Sequence, residues 1–489
     1  MARSLIVDAF ARVARDRQHE IGVTDLTGDR AITFAEVWSD FERSLAALAH
    51  VPERACVISH VGNRPAFLTL LLACLASERP LVLLDGGMTR AEVESIASRF
   101  GADAIAVRTD DRQAWGLASA TLPGGLSLIP CSNSSQRLWR ADGPTVLRMT
   151  SGSTGLPRAV VLSESQLAND GRHIAAAMSL GPDDVSMGVI PMTHAYGLGN
   201  LVVPFLLQGM RLALRESFVA RRFARDIEHV GATVWPGVPF MFEYFRRTET
   251  PRDALASLRL VVTAGAPIDP DTARWFHAHF GRKLHALYGT SETGGICFDA
   301  TPQLDDPPTV GTPLPGTEVT LVETAAASPG EGRIRVQGDA VAHGYADVEG
   351  EPVPDGFDDG GFLTGDLGRR TAAGALVLTG RISAFVNIAG RKVHPGEVER
   401  AIRALPGIAD VAVFGAADAL RGERLVACVQ RHDRSVTVAS LRTACARQLA
   451  PYKIPRQVVF IDRFPTDARG KVSRQALESL ARQVWSDDV

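Results

Sequence analysis

At 489 residues the chain is longer than one hydrophobic core comfortably serves, so two or more domains are expected. A hydrophobic fraction of 45%, a charged fraction of 22% and a formal net charge of -3 suit a soluble globular protein and give no general reason to expect nucleic acid or an anionic membrane as partner. Any anion-binding site must therefore be local.

The first residues, MARSLIVDAFARVARDRQHE, interrupt their apolar positions with Asp8, Arg12, Arg15 and Asp16, which predicts an amphipathic helix and not a signal peptide. Helical periodicity recurs over Phe34–Leu48, Arg64–Ser77 and Arg90–Phe100, separated by strand-like runs at 55–59 and 80–84. The longest apolar run, 67–76, is too short to span a bilayer, and a cytoplasmic location is expected. A strand at 146–149 leads into TSGSTGLPRAV, followed by a helix over 165–178. Strands at 185–190, 232–235, 258–262 and 283–287 alternate with helices at 223–230 and 271–280, and PMTHAYGLGN after the first of them reads as a loop. Polar loops thus recur at the carboxyl ends of strands, where open α/β sheets bind ligands. Beyond about 305, Pro and Gly become frequent and GRIRVQG and ALVLTG read as strands of a β-rich unit. A new α+β unit follows: a helix from Pro395 with Val398, Ile402 and Leu405 on one face, strands at 411–414 and 425–429, and a helix carrying Val438, Leu441, Cys445 and Leu449. The six cysteines form no CxxC pair and are read as reduced and mostly buried.

TSGSTGLPRAV crowds Thr150, Ser151, Gly152, Ser153, Thr154 and Gly155 ahead of Arg158, giving hydroxyl donors and unobstructed backbone amides suited to phosphate oxygens. It lacks the GK[ST] ending of a P-loop NTPase. YGTSETGG joins an aromatic ring at Tyr288, followed by Gly289, to hydroxyls at Thr290 and Ser291 and a carboxylate at Glu292. FLTGDLGRR offers Asp366, GRISAFVNIAGRKVHPGEVE carries Arg381 and Gly390, and PTDARGKVSR exposes Lys471. Each stretch alone has an ordinary explanation as a turn or a solvated charge.

In this order and spacing the five stretches resemble the adenylate-forming superfamily of acyl-CoA and aryl-CoA synthetases and adenylation enzymes, over about 20–477. The resemblance implies an α/β fold: a large N-terminal adenylation domain of parallel-rich sheets flanked by helices, with a β-rich subdomain, over 1–380; a hinge at 381–384; and a small mobile α+β lid domain over 385–489. It implies ATP, Mg²⁺ and coenzyme A as cofactors, with Lys471 as the cation between carboxylate and α-phosphate and Thr290 at the α-phosphate. Glu292 would be the metal ligand, with Thr154 beside it. Tyr288 and the Gly265, Ala266, Pro267 turn would enclose adenine, Asp366 and Arg381 would hold the ribose, and Gly390 would leave room for a pantetheine arm. Two departures stand out: Arg158-Ala159 where the family usually has Lys-Gly, and Ser383 in the hinge.

By the same resemblance, His194-Ala195 occupies the place where amino-acid-activating members carry the acid that binds the substrate amine, which disfavours an α-amino acid. His194, Tyr196, Trp235, Val238 and Gly265 then suggest an apolar pocket with one phenolic group, suited to an aryl or a short to medium aliphatic acid. The expected partners are a small-molecule carboxylic acid and coenzyme A, with an acyl carrier protein as the alternative acceptor; a nucleotide-binding homologue impaired in catalysis is a third reading.

Overall fold

The computed structural model describes residues 4–111, 115–116, 120–131, 145–151, 157–304, 308–324, 330–346, 356–358, 360–381, 386–393, 395–418, 422–462, 464 and 477. The chain divides into two compact units, one of Met1–Gly86, Ser95–Thr150 and Arg158–Ile382, the other of Gly87–Glu94, Ser151–Pro157 and Ser383–Val489.

Three sheets build the larger unit. A nine-stranded sheet runs, edge to edge, Thr312–Pro313, Gly294–Phe298, Leu284–Thr290, Leu260–Thr263, Val234–Gly237, Val185–Gly188, Arg211–Leu214, Ile21–Asp25 and Arg30–Thr33. Its interior pairs are parallel and its edge pairs antiparallel. An eight-stranded sheet has the order Gly344–Tyr345, Pro157–Ser163, Thr145–Ser151, Leu81–Leu83, Val57–His60, Ala104–Arg108, Leu126–Pro130 and Ala120–Leu122, again parallel at its centre. The third, antiparallel sheet comprises Thr317–Val322, Gly332–Gly338, Gly361–Arg370, Phe357–Asp358 and Leu376–Arg381. Parallel-rich sheets flanked by helices with a β-rich subdomain are the class that the alternation of patterns predicts.

Local chemistry explains the helix limits. Thr33 and Glu36 form a capping box at the start of Phe34–Leu48, and Ser163 and Gln166 another at Glu164–Met178. Pro65–Ala76 starts on a Pro at its first turn and is buried from Ala66 through Leu75, as expected of a helix apolar on every side. The PMTHAYGLGN segment departs from the expected loop. It is helical from Ala195, continues as a π-helical turn over Leu198–Val202 and then as Val203–Gln208, and stops at Gly209, φ +73. Gly197 makes that path possible, because a Cβ there would lie 2.1 Å from the Pro191 carbonyl oxygen. Pro239–Arg246, read from sequence as neither helix nor strand, is a helix that buries Met241, Phe242 and Phe245.

The smaller unit has its own sheet, in the order Arg391–Val393, Val386–Ile388, Gly422–Arg431 and Ile408–Asp418, with Gln457–Ile461 parallel to Gly422–Arg431. Its core gathers Val386, Val393, Val398, Ile402, Leu425, Val429 and Leu441. The α+β character follows the predicted pattern, with Gln457–Ile461 added.

All of the six cysteines but Cys131 are buried. Burial pushes the Cys74 and Cys297 thiols up to about 12 and those of Cys428 and Cys445 up to about 11. Among the described residues no helix is long and apolar enough to cross a membrane.

Candidate active site

Within the larger unit, the predicted YGTSETGG stretch is a β-hairpin: Leu284–Thr290 pairs antiparallel with Gly294–Phe298. The register shifts between Tyr288 and Gly289, and a Cβ at Gly289 would lie 2.4 Å from the Gly294 carbonyl oxygen, so glycine there lets the two backbones meet. The shift also turns Tyr288 toward the third sheet. Its hydroxyl donates to Asp366 Oδ2 at 2.8 Å, and Thr364 Oγ1 accepts the Asp366 backbone N–H at 3.1 Å. Arg381 is the backbone partner of Asp366 across Gly361–Arg370 and Leu376–Arg381. The structure thus gathers Tyr288, Asp366 and the Arg381 backbone, residues far apart in sequence.

The hairpin turn carries the second group. Thr290 Oγ1 lies 3.1 Å from Thr293 Oγ1 and accepts the Glu292 backbone N–H at 3.2 Å. Half-buried Glu292 accepts the Tyr345 hydroxyl at Oε1, 2.8 Å away. Burial, and then the adjacent Glu292 charge, hold the Tyr345 phenol well above its usual range, so it remains a donor at any physiological pH. Arg158 stacks over the Tyr345 ring with its guanidinium carbon 3.6 Å from the centroid, and its Nη2 has no hydrogen-bond partner among the described residues. A planar guanidinium suits this stacking as an ammonium does not. The Arg158-Ala159 departure has a local rationale: Ala159 is fully buried and its carbonyl accepts the Ala346 N–H at 2.7 Å.

A third group lies where parallel strands of the nine-stranded sheet end. His194 precedes the helical run, with Nε2 3.4 Å from Asp85 Oδ2. Asn63 fixes the approach to it, donating to the Ile190 carbonyl at 2.8 Å and accepting the Met192 N–H at 2.9 Å. Val238 is buried at the start of Pro239–Arg246. Gly265, φ +88, turns the chain after Leu260–Thr263, leaving Gly265 and Pro267 exposed and Ala266 half-buried.

Two expected pocket residues make contacts within the fold. Trp235 is fully buried among Phe223, Phe242, Phe245 and Phe276, with ring centroids 4.5 to 6.1 Å away, and belongs to the core. The Tyr196 hydroxyl lies 3.2 Å from both the Gly237 and Val262 carbonyls, to either of which it can donate its one proton. Gly152, Ser153, Thr154, Gly155, Lys471 and hinge residues 382–384 lie outside the described residues, as do the side chains of Ser151 and Arg381. Thr150, next to last in strand Thr145–Ser151, is half-buried. In the smaller unit, Ala389 and Gly390, φ +52 and +84, form the tight turn between Val386–Ile388 and Arg391–Val393, and Asn387 Oδ1 accepts the Gly390 N–H at 3.0 Å.

Sequence reading missed Asp85, Arg148, Asp170 and Tyr345. A signal existed for Arg148, a charge inside TVLRM where a central parallel strand normally runs apolar. Asp170 follows Gln166 by one helical turn, which marked a polar stripe on a helix expected to pack inward.

This arrangement accords with the comparisons. The family model for AMP-binding enzymes matches residues 10–346, and that for the AMP-binding enzyme C-terminal domain matches 397–471. The sulfoacetate–CoA ligase of Cupriavidus necator is 31% identical over 351 residues, covering 69% of this chain and 67% of the relative. A feruloyl-CoA synthase from an Amycolatopsis species is 29% identical over 483 residues, 94% of this chain and 96% of that one. A solved malonyl-CoA ligase, in a ternary product complex with methylmalonyl-CoA and AMP, superimposes with a TM-score of 0.77 at 27% identity, covering 91% of this chain and 96% of that one. The chain belongs to the AMP-binding enzyme family, within the adenylate-forming superfamily, and is an enzyme of the acid–thiol ligase type.

Proposed function

We propose that this protein joins a carboxylic acid to ATP as an acyl-adenylate and transfers the acyl group to coenzyme A. In the first step a carboxylate oxygen attacks the α-phosphorus, the bond to the β-phosphate breaks and pyrophosphate leaves. In the second the thiol sulfur attacks the acyl carbon and AMP leaves. The observation that carries the reading is the Tyr288–Asp366 hydrogen bond between strands of two different sheets, beside the Thr290–Glu292 turn; it supports an aromatic face for the base, a carboxylate for ribose hydroxyls and a hydroxyl for the α-phosphate. Among the described residues no group of three His, Cys, Asp or Glu side chains could hold a metal. The single Glu292 carboxylate nonetheless fits Mg²⁺, which is commonly held by one or two carboxylates together with substrate phosphates. Bound there, the ion would offset triphosphate charge, and Thr154 is assigned to the same phosphates.

Lys471 is assigned the cation between the two reacting anions, a role a buried charge fills strongly because a pair near 4 Å is worth about 4 kcal/mol at an effective dielectric of roughly 20. Arg158 acts through Tyr345 and Glu292, and Thr150 to Gly155 receive the leaving phosphates. Gly265 to Pro267 close over adenine and Arg381 over ribose, while Gly390 admits the pantetheine arm. His194, Val238 and Gly265 bound the acyl site, which takes an aryl or short to medium aliphatic acid. The relatives named for sulfoacetate, ferulate, indoleacetate and oxalate show how widely the acid varies among similar chains.

The test is a pyrophosphate-release screen over aryl, aliphatic and amino acids, with and without coenzyme A. Release driven by an aryl or aliphatic acid, with thioester formed on adding coenzyme A, is the expected result. Adenylation that proceeds only onto a holo carrier protein would replace the acceptor. ATP binding without release for any acid would overturn catalysis altogether.

A further inference from the structure

Strand Thr145–Ser151 lies inside the eight-stranded sheet, yet Arg148 sits in its middle and is 2% exposed. Its Nη2 donates to the Ser291 carbonyl, and its Nε has no hydrogen-bond partner among the described residues. Facing the same hairpin from helix Glu164–Met178, Asp170 is 3% exposed. Its Oδ1 accepts the Gly295 N–H at 2.8 Å, and its Oδ2 has no hydrogen-bond partner among the described residues. Burial pulls the Arg148 guanidinium down and the Asp170 carboxyl up from their ordinary ranges, and the opposite charge of each works against that drift.

The two side chains therefore grip opposite ends of one turn. Ser291 and Gly295 bracket Glu292, and Thr290 immediately precedes the gripped carbonyl. The seat is close: a Cβ on Gly294, φ +70, would fall 2.2 Å from Asp170 Oδ1. Arg148 also shares a strand face with Thr150, two residues on, because side chains alternate along a strand. Buried opposite charges are a poor route to stability, since apolar side chains of similar volume often hold a fold as well or better. What charges add is direction, a guanidinium aimed at a carbonyl and a carboxylate aimed at an N–H.

We propose that Arg148 and Asp170 are a pair of positioning residues that fix the Thr290–Glu292 turn relative to the strand leading into the Thr150 loop, and so set the geometry in which ATP is held for adenylation. This rests on the adenylation reading above. Neither residue touches the reacting atoms; both act through the backbone of Ser291 and Gly295.

The test compares the full-length enzyme with Arg148→Met, Asp170→Asn, Arg148→Lys and the double variant Arg148→Met/Asp170→Asn. Thermal unfolding, calorimetric ATP affinity without any acid, and acid-dependent pyrophosphate exchange are measured on each. Arg148→Met is expected to melt early, because it leaves Asp170 buried without its counter-charge. The double variant removes both charges and is expected to recover most of the melting temperature. It should nevertheless remain about tenfold or more weaker for ATP and roughly a hundredfold down in kcat, the scale of loss from a displacement near 1 Å. Arg148→Lys should recover part of kcat. A double variant that regains ATP affinity and kcat together with its melting temperature would overturn the proposal and leave the pair a packing feature. An unaltered enzyme that binds ATP but exchanges pyrophosphate with no acid would overturn the adenylation reading instead, with the ATP-affinity comparison still deciding the role of the pair.

Discussion

Tyr345 connects two parts of the site that sequence spacing treats separately. Its hydroxyl holds Glu292 and its ring carries Arg158, so one side chain links the carboxylate of one motif to the guanidinium of another. Tyr345→Phe keeps the ring and removes the donor. It should leave the melting temperature nearly unchanged while raising the KM for ATP about tenfold, in keeping with the ~1–3 kcal/mol that a lost hydrogen bond to a charged group typically costs. Arg158→Lys keeps the charge and loses the flat stack, and a smaller rise in KM, about two- to fivefold, is expected, the ~0.5–1 kcal/mol at the low end of the cation–π range, because an ammonium still offers the ring a cation. Pyrophosphate-exchange kinetics at varied ATP check both. If Arg158→Lys proved far the more damaging of the two, Arg158 would be contacting phosphate directly.

At the scale of elements, two turns make separable predictions. Ala389 adopts φ +52, a left-handed conformation that costs a non-glycine residue roughly 1–2 kcal/mol. Ala389→Gly relieves it but adds freedom to the unfolded chain, so a net stabilisation of about 0.5 kcal/mol is expected by chemical denaturation, while Gly390→Ala, at φ +84, destabilises. Asp184 leads into strand Val185–Gly188 and ties it to two others. It accepts the Thr233 hydroxyl at 2.7 Å, Arg259 at 2.8 and 2.6 Å, and the Gly181 N–H at 3.0 Å. Although burial works to raise its carboxyl, these partners hold it below the ordinary range. Its stabilising contribution is therefore complete above the unfolded-state value near 4 and is lost as pH falls through the lowered folded value. Asp184→Asn should destabilise by about 1–3 kcal/mol at neutral pH and flatten the acid limb of the stability–pH curve. An acid limb as steep as that of the unaltered chain would rule Asp184 out as its source.

The elements that sequence made legible share a physical cause. Phe34–Leu48, Glu164–Met178 and Pro270–Phe280 begin on Thr33, Ser163 and Asp269, whose side chains accept helix N–H groups, and their apolar faces repeat at helical spacing. Pro239–Arg246 escaped because PFMFEYFR is rich in aromatics that favour strands, and tertiary packing around Trp235 overrides that preference. The helical run from Ala195 escaped because Gly197 and Gly199 look like loop residues, whereas at Gly197 the absent side chain permits contact with Pro191. In the site, the residues expected to face a ligand sit within short contiguous motifs, which is why sequence points to them. Residues that hold those motifs from behind, Arg148, Asp170 and Tyr345, lie 143, 125 and 53 positions from what they hold, and only the fold brings them together.

For the whole molecule, the larger unit and the smaller unit each bury a core of their own. Separate cores predict two calorimetric transitions, with ATP raising the one that belongs to the larger unit, since a ligand stabilises only what binds it. One transition fitting a single two-state unit would count against this.

The buried thiols have a bearing on chemistry that generates an activated acyl group. A mixed anhydride reacts with thiolates, and an enzyme carrying its own accessible ones would modify itself during turnover. Cys74, Cys297, Cys428 and Cys445 are shielded by the fold and kept protonated by it, so self-acylation is suppressed at those positions without any dedicated device. Cys131, partly exposed, is where a mass measurement after prolonged turnover without a thiol acceptor should find the first adduct.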